Sequence, residues 1–244
     1  MTQLYPLFKR EFLGYFRSPV AYVFTVIFLV AAFGCTFFIG DLYNSNQASL
    51  TTFFEFLPWL YLVLIPAVGM KLWAEERHSG TIELLLTLPV NMFEAVFAKF
   101  FAGWLFICIG LFLTFPLPAT IAYLGEPDWG VVFTGYLGAF LMAGSFLGIS
   151  CLASALTKNQ VVAFVFGLLI SFVLVLVGWG IFTDILAAVF PAQLVDAIAN
   201  IGFMPHFTPI MNGVIDTRDL SYFLGVMGIT VLLTIEVLHS KKAV

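Results

Sequence analysis

The run Trp129–Thr157, WGVVFTGYLGAFLMAGSFLGISCLASALT, holds no charged residue and is framed by Asp128 and Lys158. A helix crosses the hydrocarbon core of a bilayer with roughly 20 mostly apolar residues, so this run is long enough to span and too apolar to lie in water. We place a span near residues 132–156 within it. The same search for charge-free windows, carried outward, finds five more, near residues 20–39, 54–70, 100–123, 161–182 and 222–238. The second carries Pro58 and Pro66, which a membrane helix tolerates when neighbours satisfy the freed backbone groups. The sequence therefore reads as an all-α polytopic membrane protein with six transmembrane helices in a single domain. Composition agrees: of 244 residues, 61% are hydrophobic and only 10% charged, whereas soluble domains carry about 25% charged residues.

The charges orient the chain. With the N-terminus inside, Lys9, Arg10, Arg17, Lys71, Arg77, Lys99, Lys158, Lys241 and Lys242 fall in the cytoplasm and Arg218 alone falls outside, the asymmetry of the positive-inside rule. An even number of spans then brings both termini to the cytoplasm. The stretch Ala32-Phe33-Gly34-Cys35 loosely resembles a lipoprotein cleavage site, but Phe33 is bulky there and cleavage would destroy the charge asymmetry. Cys35, Cys108 and Cys151 each sit in an apolar run without a Cys-x-x-Cys pair, which supports neither a disulfide framework nor a thiolate metal site. They read as small apolar packing residues.

The segments between spans are more specific. In residues 3–17, Leu4, Phe8, Phe12 and Phe16 recur every four positions, widened by Tyr5, with Lys9, Arg10 and Arg17 facing elsewhere. That pattern predicts an interfacial helix in the headgroup plane, broken by Ser18-Pro19. After the second span, the cluster Glu75, Glu76, Arg77 leads to Ser79-Gly80-Thr81, which offers cap residues. Glu83 suits the first turn of a following helix and Pro89 disfavours its continuation. The short helix so expected over 79–88 carries Ile82, Leu84, Leu85, Leu86 and Leu88. It is too short to span and too apolar to stand bare, so it lies on the bilayer or docks in a partner's groove; the flanking charges favour a protein partner. Residues 185–211 hold two pieces, Ile185–Ala199 broken by Pro191 and Met204–Met211 with Pro205 and Pro209. They read as outer or re-entrant helices. Met204, His206 and Met211 carry groups that suit Cu(I), but three such residues in a Pro-rich loop do not make a ligand set, and no metal site is assigned.

Several chemistries are missing. The sequence has no G-x-S-x-G motif, no H-E-x-x-H and no G-x-x-x-x-G-K-[ST] phosphate loop. No His falls inside a span, and no Asp, Glu, Lys or Arg lies near the middle of one, so the groups that ion-coupled transporters use are absent. What remains is a passive channel, a structural scaffold, or one half of a machine powered elsewhere; an apolar helix offered to a partner fits the last. Gly144 and Gly148 form a G-x-x-x-G pair that allows close helix approach within one subunit or between copies. Gly178-Trp-Gly180 marks a point where the fifth span can loosen.

Three stretches carry a family likeness. One is Phe8-Lys-Arg-Glu11 with Arg17-Ser-Pro19-Val-Ala-Tyr22. The next joins Leu57-Pro-Trp59, Pro66-Ala-Val-Gly-Met70 and Ala74-Glu-Glu-Arg-His-Ser-Gly-Thr-Ile-Glu-Leu-Leu-Leu-Thr-Leu-Pro89. The third joins His206-Phe207, Gly213-Val-Ile-Asp216-Thr-Arg218-Asp219 and Tyr222-Phe223; Leu156-Thr-Lys-Asn159-Gln160 adds to these. With them the sequence resembles type-2 ABC exporter permeases, and most of all the gliding-motility class. The resemblance implies a half-transporter of the bacterial inner membrane with an elbow helix at its N-terminus. It implies a coupling helix over 79–88, with Glu75, Glu76, Arg77, Ser79, Gly80, Thr81, Ile82, Glu83, Leu85 and Leu86 as the residues that meet the ATPase. It also implies an outer gate around His206, Phe207, Gly213, Asp216, Arg218 and Asp219. The partners so implied are a second permease, two cytoplasmic ABC ATPase subunits, a membrane-anchored extracytoplasmic subunit and membrane lipid, with no nucleic acid. ATP and Mg would be held by the ATPases, and this chain would hold no cofactor and do no catalysis. No large extracytoplasmic domain is fused to it, so handling of the substrate outside is expected of another polypeptide.

Overall fold

The structure, a computed structural model, describes residues 4–40, 49–81, 91–188 and 190–240. In chain order the helices are α1 (Leu4–Arg17), α2 (Pro19–Gly34, continued by a π-helical turn Cys35–Ile39), α3 (Thr51–Gly69), α4 (Lys71–Ser79), α5 (Met92–Phe112) and α6 (Pro116–Leu124). They are followed by α7 (Trp129–Leu156), α8 (Gln160–Val177), α9 (Gly180–Ala187), α10 (Ala192–Ala199), α11 (Met204–Met211) and α12 (Thr217–Ser240). Among the described residues there is no strand. Six stretches are long and apolar enough to cross a membrane: Pro19–Ile39, Thr51–Ser79, Met92–Leu124, Trp129–Leu156, Gln160–Val177 and Thr217–Ser240.

Local chemistry sets several helix starts. Asn91 accepts a hydrogen bond from the Phe93 N–H at 3.2 Å, Asp128 from the Gly130 N–H at 2.8 Å, and Asn159 from the Val161 N–H at 2.9 Å. Each side chain thus satisfies an N–H that has no partner in the first turn of its helix. The third apolar stretch begins at Met92, ahead of the expected Phe100, because Asn91 caps it there. It then bends at 113–115. The Thr114 hydroxyl donates to the Leu111 carbonyl at 2.6 Å and meets the Tyr136 hydroxyl at 2.8 Å, and Pro116 opens α6. The fifth stretch ends at Val177 rather than Phe182. Gly178 caps it, and a Cβ there would overlap the Pro205 ring.

The core is built around α7. Of its most apolar window 83% is buried inside the protein, against 17% for α2 and 22% for α8, so α7 is the axis and the other two present their sides to lipid or to another chain. Small residues make this possible. A Cβ on Gly135 would overlap the Phe54 ring of α3, one on Gly138 would crowd Ile210 of α11, and ones on Gly144 and Gly148 would overlap Met227 and Thr230 of α12. Ser145 adds a hydroxyl that donates to the Phe223 carbonyl at 3.1 Å. Lipid supplies no hydrophobic drive between helices, so close van der Waals fit and interhelical hydrogen bonds hold such a bundle together. The Gly144 and Gly148 pair is therefore used within the chain, against α12.

This packing predicts a contrast between two glycine substitutions. Gly148→Ala forces Thr230 aside and should lower stability by about 1–3 kcal/mol. Gly225→Ala meets open space and should raise it by up to about 1 kcal/mol through helix propensity. Thermal unfolding of both purified variants in the same detergent checks the pair.

Candidate functional site

The segment expected to meet a partner begins in the second half of α4. Ile82, Glu83, Leu85 and Leu86 lie outside the described residues, whereas Glu75, Glu76, Arg77, Ser79, Gly80 and Thr81 are described. Ser79, expected to help start a helix, instead ends α4: its hydroxyl donates back to the Glu75 carbonyl at 2.9 Å. Gly80 follows with φ +72°, the left-handed geometry that closes a helix and suits glycine. Thr81 then turns its hydroxyl to Ser79, 2.9 Å away.

α3 and α4 are separated by a break at Met70, and a residue of another helix is bonded into it. Ser154 of α7, fully buried, accepts from the Trp73 N–H at 3.0 Å and the Ala74 N–H at 2.9 Å, and donates to the Met70 carbonyl at 2.8 Å. A hydroxyl has one donor and two acceptor sites, and all three are used. The hydroxyl thus bridges the break between α3 and α4, taking the Trp73 and Ala74 amides and returning its own proton to Met70. Pro66 one turn earlier has no N–H for the Leu62 carbonyl, but the ladder resumes after it, its own carbonyl accepting from the Met70 N–H at 2.8 Å. Arg77 fastens α4 a second time by donating to the Ala155 carbonyl at the end of α7.

Lys99 of α5 is the electrostatic centre of the site. Its side chain is 4% exposed and its Nζ lies 3.0 Å from Glu11 Oε2 of α1 and 2.8 Å from Glu76 Oε1 of α4. The Trp73 ring lies below it, 5.4 Å to the centroid, a cation–π contact. Arg10 reaches the other oxygen of Glu11 at 2.7 Å. Burial by itself raises the Glu11 carboxyl, but the Lys99 ammonium and the Arg10 guanidinium outweigh it and hold the group below the usual carboxylate range. This corrects two expectations. Lys99 is a buried hub rather than a solvated loop charge. The packed side of α1 takes in Leu7, Glu11 and Tyr15 beside the expected Phe8, Phe12 and Phe16, while Leu4 is 40% exposed, and Glu11 faces Lys99. A cleft of about 450 Å³ opens between α1 and α4, lined by Tyr15, Lys71, Glu75 and Thr81 together with the ion triad. Glu75 is exposed at its mouth.

At the start of α12 a second cluster gathers most of the expected outer residues. His206, expected in a loop, is inside α11 and 4% exposed, beside Asp219, 6% exposed. Their Nδ1 and Oδ1 atoms are 2.7 Å apart, and His206 Nε2 is 3.0 Å from the Asn200 carbonyl. Arg218 donates to the Asn200 side chain at 3.1 Å. Asp216 accepts from the Arg218 N–H at 2.9 Å and so caps α12. Phe207 is separate from this cluster, buried in the core against Gly138. Gly213 has φ +94° in the turn that leaves α11. Both nitrogens of His206 face protein acceptors, which leaves neither free to join Met204 and Met211 on a metal. Nothing local marks Glu11, Trp73, Lys99 or Ser154 as site residues, since each acts on a partner far away in the chain, and Asn200 meets His206 through a backbone carbonyl, which no residue type announces.

The ion triad predicts a large effect of its centre. Lys99→Met strands Glu76 and leaves Glu11 with Arg10 alone, which should destabilise the protein by about 3–5 kcal/mol, and adding Glu11→Gln and Glu76→Gln should recover much of it. Glu11 is depressed in the fold, so its contribution is complete above the ordinary glutamate value of about 4.3 and disappears as pH falls through the lower folded value; Glu11→Gln should flatten that dependence. Ser154→Ala leaves two buried N–H groups without their acceptor and should cost about 1–3 kcal/mol. Thermal unfolding at several pH values measures all three.

A family model described as ABC-2 family transporter protein matches residues 5–221, from α1 into the first turns of α12, and so covers both clusters. No curated protein matches the chain. The match takes in five of the six apolar stretches whole and the beginning of the last. On that match, and with six helices fit to cross a bilayer, the chain belongs to the ABC-2 transporter family and is a multi-pass membrane permease component.

Proposed function

We propose that this permease is the membrane half of an ATP-driven exporter, working as a dimer with two cytoplasmic ABC ATPase subunits in a bacterial inner membrane. The observation that carries the reading is α4. A membrane-length stretch is broken at Met70, and its last part is fastened by Ser154, Arg77 and Lys99 just ahead of the apolar sequence Ile82–Leu88. A lever so fastened suits the receipt of motion from outside the membrane. The distribution of Lys and Arg supports a cytoplasmic position for it.

The mechanism follows from the connections. ATP and Mg sit on the partner, whose closure moves the cleft that holds Ile82, Glu83, Leu85 and Leu86. Glu75, at the mouth of the cleft beside Thr81, meets the same partner surface. Displacement enters α4, passes to α7 through Ser154 and Ala155, and passes to α1 and α5 through Lys99. α7 in turn carries α3, α11 and α12 on its glycines. A rigid-body rearrangement of the two permeases then alternates access, with the exposed face of α8 meeting its counterpart. An extracytoplasmic auxiliary subunit handles the substrate outside.

Two substitutions test the lever. Glu83→Lys and Leu85→Asp should leave insertion and dimerisation intact and abolish stimulation of the ATPase by the permease in reconstituted vesicles. Unchanged stimulation in both variants overturns the coupling role. Conductance of the isolated chain without nucleotide would favour a channel instead.

A further inference from the structure

The His206 ring makes hydrogen-bond contacts at both nitrogens, and both partners are acceptors. Nδ1 lies 2.7 Å from a carboxylate oxygen of Asp219, and Nε2 lies 3.0 Å from the Asn200 backbone carbonyl. A carbonyl can only accept, and a carboxylate can only accept unless it is itself protonated. A neutral imidazole carries one N–H, so a neutral ring beside an ionised Asp219 would set a lone pair against a lone pair at one of the two contacts. The arrangement is satisfied only if the pair holds one more proton, either as imidazolium with carboxylate or as neutral ring with protonated Asp219. Water does not relieve the conflict, since His206 is 4% and Asp219 6% exposed.

The surroundings favour the charged ring. The Tyr222 ring stacks on His206 with centroids 4.0 Å apart and planes 20° apart, so a π face meets the imidazole. The charged and titratable groups of α12 that face the cluster are Asp219, Arg218 and Tyr222, and Arg218 is turned to the Asn200 side chain. The turn after α10 contributes Asn200 alone. α7 and α8, which pack behind, carry no Asp, Glu, Lys, Arg or His. The position is also mechanical. Asn200 ends α10 and Phe203 begins α11; the Phe203 N–H donates to the Leu174 carbonyl of α8 at 3.0 Å, and its ring packs on Phe146 of α7, 4.8 Å between centroids. His206 thus ties the 200–203 turn to α12 across the point where α7, α8 and the outer helices meet.

We propose that the His206–Asp219 pair is a proton-dependent latch on the outer helices: with the extra proton it joins the 200–203 turn to α12, and on losing that proton it releases the turn. A neutral ring keeps the stronger, charge-assisted bond from Nδ1 to Asp219 and gives up the bond to Asn200. What then holds the turn to α12 is the bond from Arg218 to Asn200 and the one from the Tyr222 hydroxyl to the Ile201 carbonyl. The latch is closed at acidic pH and opens as pH rises, and it acts whether or not an ATPase drives the chain.

The experiment uses the full chain in lipid nanodiscs. Of its three histidines, His78 and His239 are replaced by Gln so that His206 alone reports. Imidazole nitrogen NMR between about pH 5 and about pH 8 should show both ring nitrogens protonated at the acid end and a single N–H, on Nδ1, after the proton leaves. Hydrogen exchange of the 199–203 amides, corrected for intrinsic rate, should be about tenfold faster after that step, the equivalent of one lost hydrogen bond. His206→Phe, which keeps neither contact, should fix it at the fast level at every pH, and Asp219→Asn, whose amide can donate to Nδ1 and leave an Nε2–H for the Asn200 carbonyl, should fix it at the slow level. A singly protonated ring throughout, or exchange at 199–203 that ignores the ring's state, overturns the latch, and the NMR reading needs neither of the latter variants to fold.

Discussion

Taking an ammonium group out of water costs several kcal/mol, and only close, well-placed counter-charges offset it. Lys99 sits under that constraint, and its carboxylates come from two different helices, Glu11 on α1 and Glu76 on α4. Meeting them fixes which face α1 turns inward and how far α4 swings toward α5. Trp73 completes the enclosure below. α1 buries only Leu7, so its rotation depends on Lys99, and α4 is held jointly by Lys99, Ser154, Arg77 and the burial of Leu72, Trp73 and Ala74.

The rest of the molecule is ordered by α7, which needs no charge to do so. Its glycines let three neighbouring helices approach closely, and four side chains take up the space left: Phe54 of α3, Ile210 of α11, and Met227 and Thr230 of α12. The ion triad and the α7 spine are joined at the Ser154 and Ala155 end, so that the polar site and the apolar core share a boundary. The outer cluster attaches to the same spine further along, through Phe203 on Phe146 and the Ser145 bond near Phe223.

The architecture was legible because crossing a bilayer imposes a length and an absence of charge, both readable locally. Runs such as 129–157 and 161–177 announce themselves, and the family match agrees with the resemblance read from residues such as Glu75–Thr81 and Gly213–Asp219. What stayed hidden is what pairs at long range. The apolar stripe Leu4, Phe8, Phe12, Phe16 gives the period of α1 but not its rotation, which is set by Lys99, 88 positions from Glu11. Nothing near Ser154 marks it as the partner of Trp73 and Ala74, more than a span away. His206 read as a loop residue because Pro205 and Pro209 suggest irregular chain, whereas Pro205 stands in the first turn of α11, where its missing N–H is harmless. Helix ends were misplaced where a cap or a close approach decides, as at Asn91 and Gly178.

The break at Met70 has a further consequence. With Ser154 inserted, three hydrogen bonds are made: two amides to one hydroxyl, and that hydroxyl to the Met70 carbonyl. Were α3 and α4 to become collinear, the Trp73 and Ala74 amides would find Gly69 and Met70 in their own helix, and Ser154 could turn to the carbonyl one turn behind it, as serines within helices do. Three bonds would again be present. Hydrogen bonding at this joint thus favours neither form, and what holds its geometry lies towards the far end of α4, where Glu76 meets Lys99 and Arg77 meets the Ala155 carbonyl.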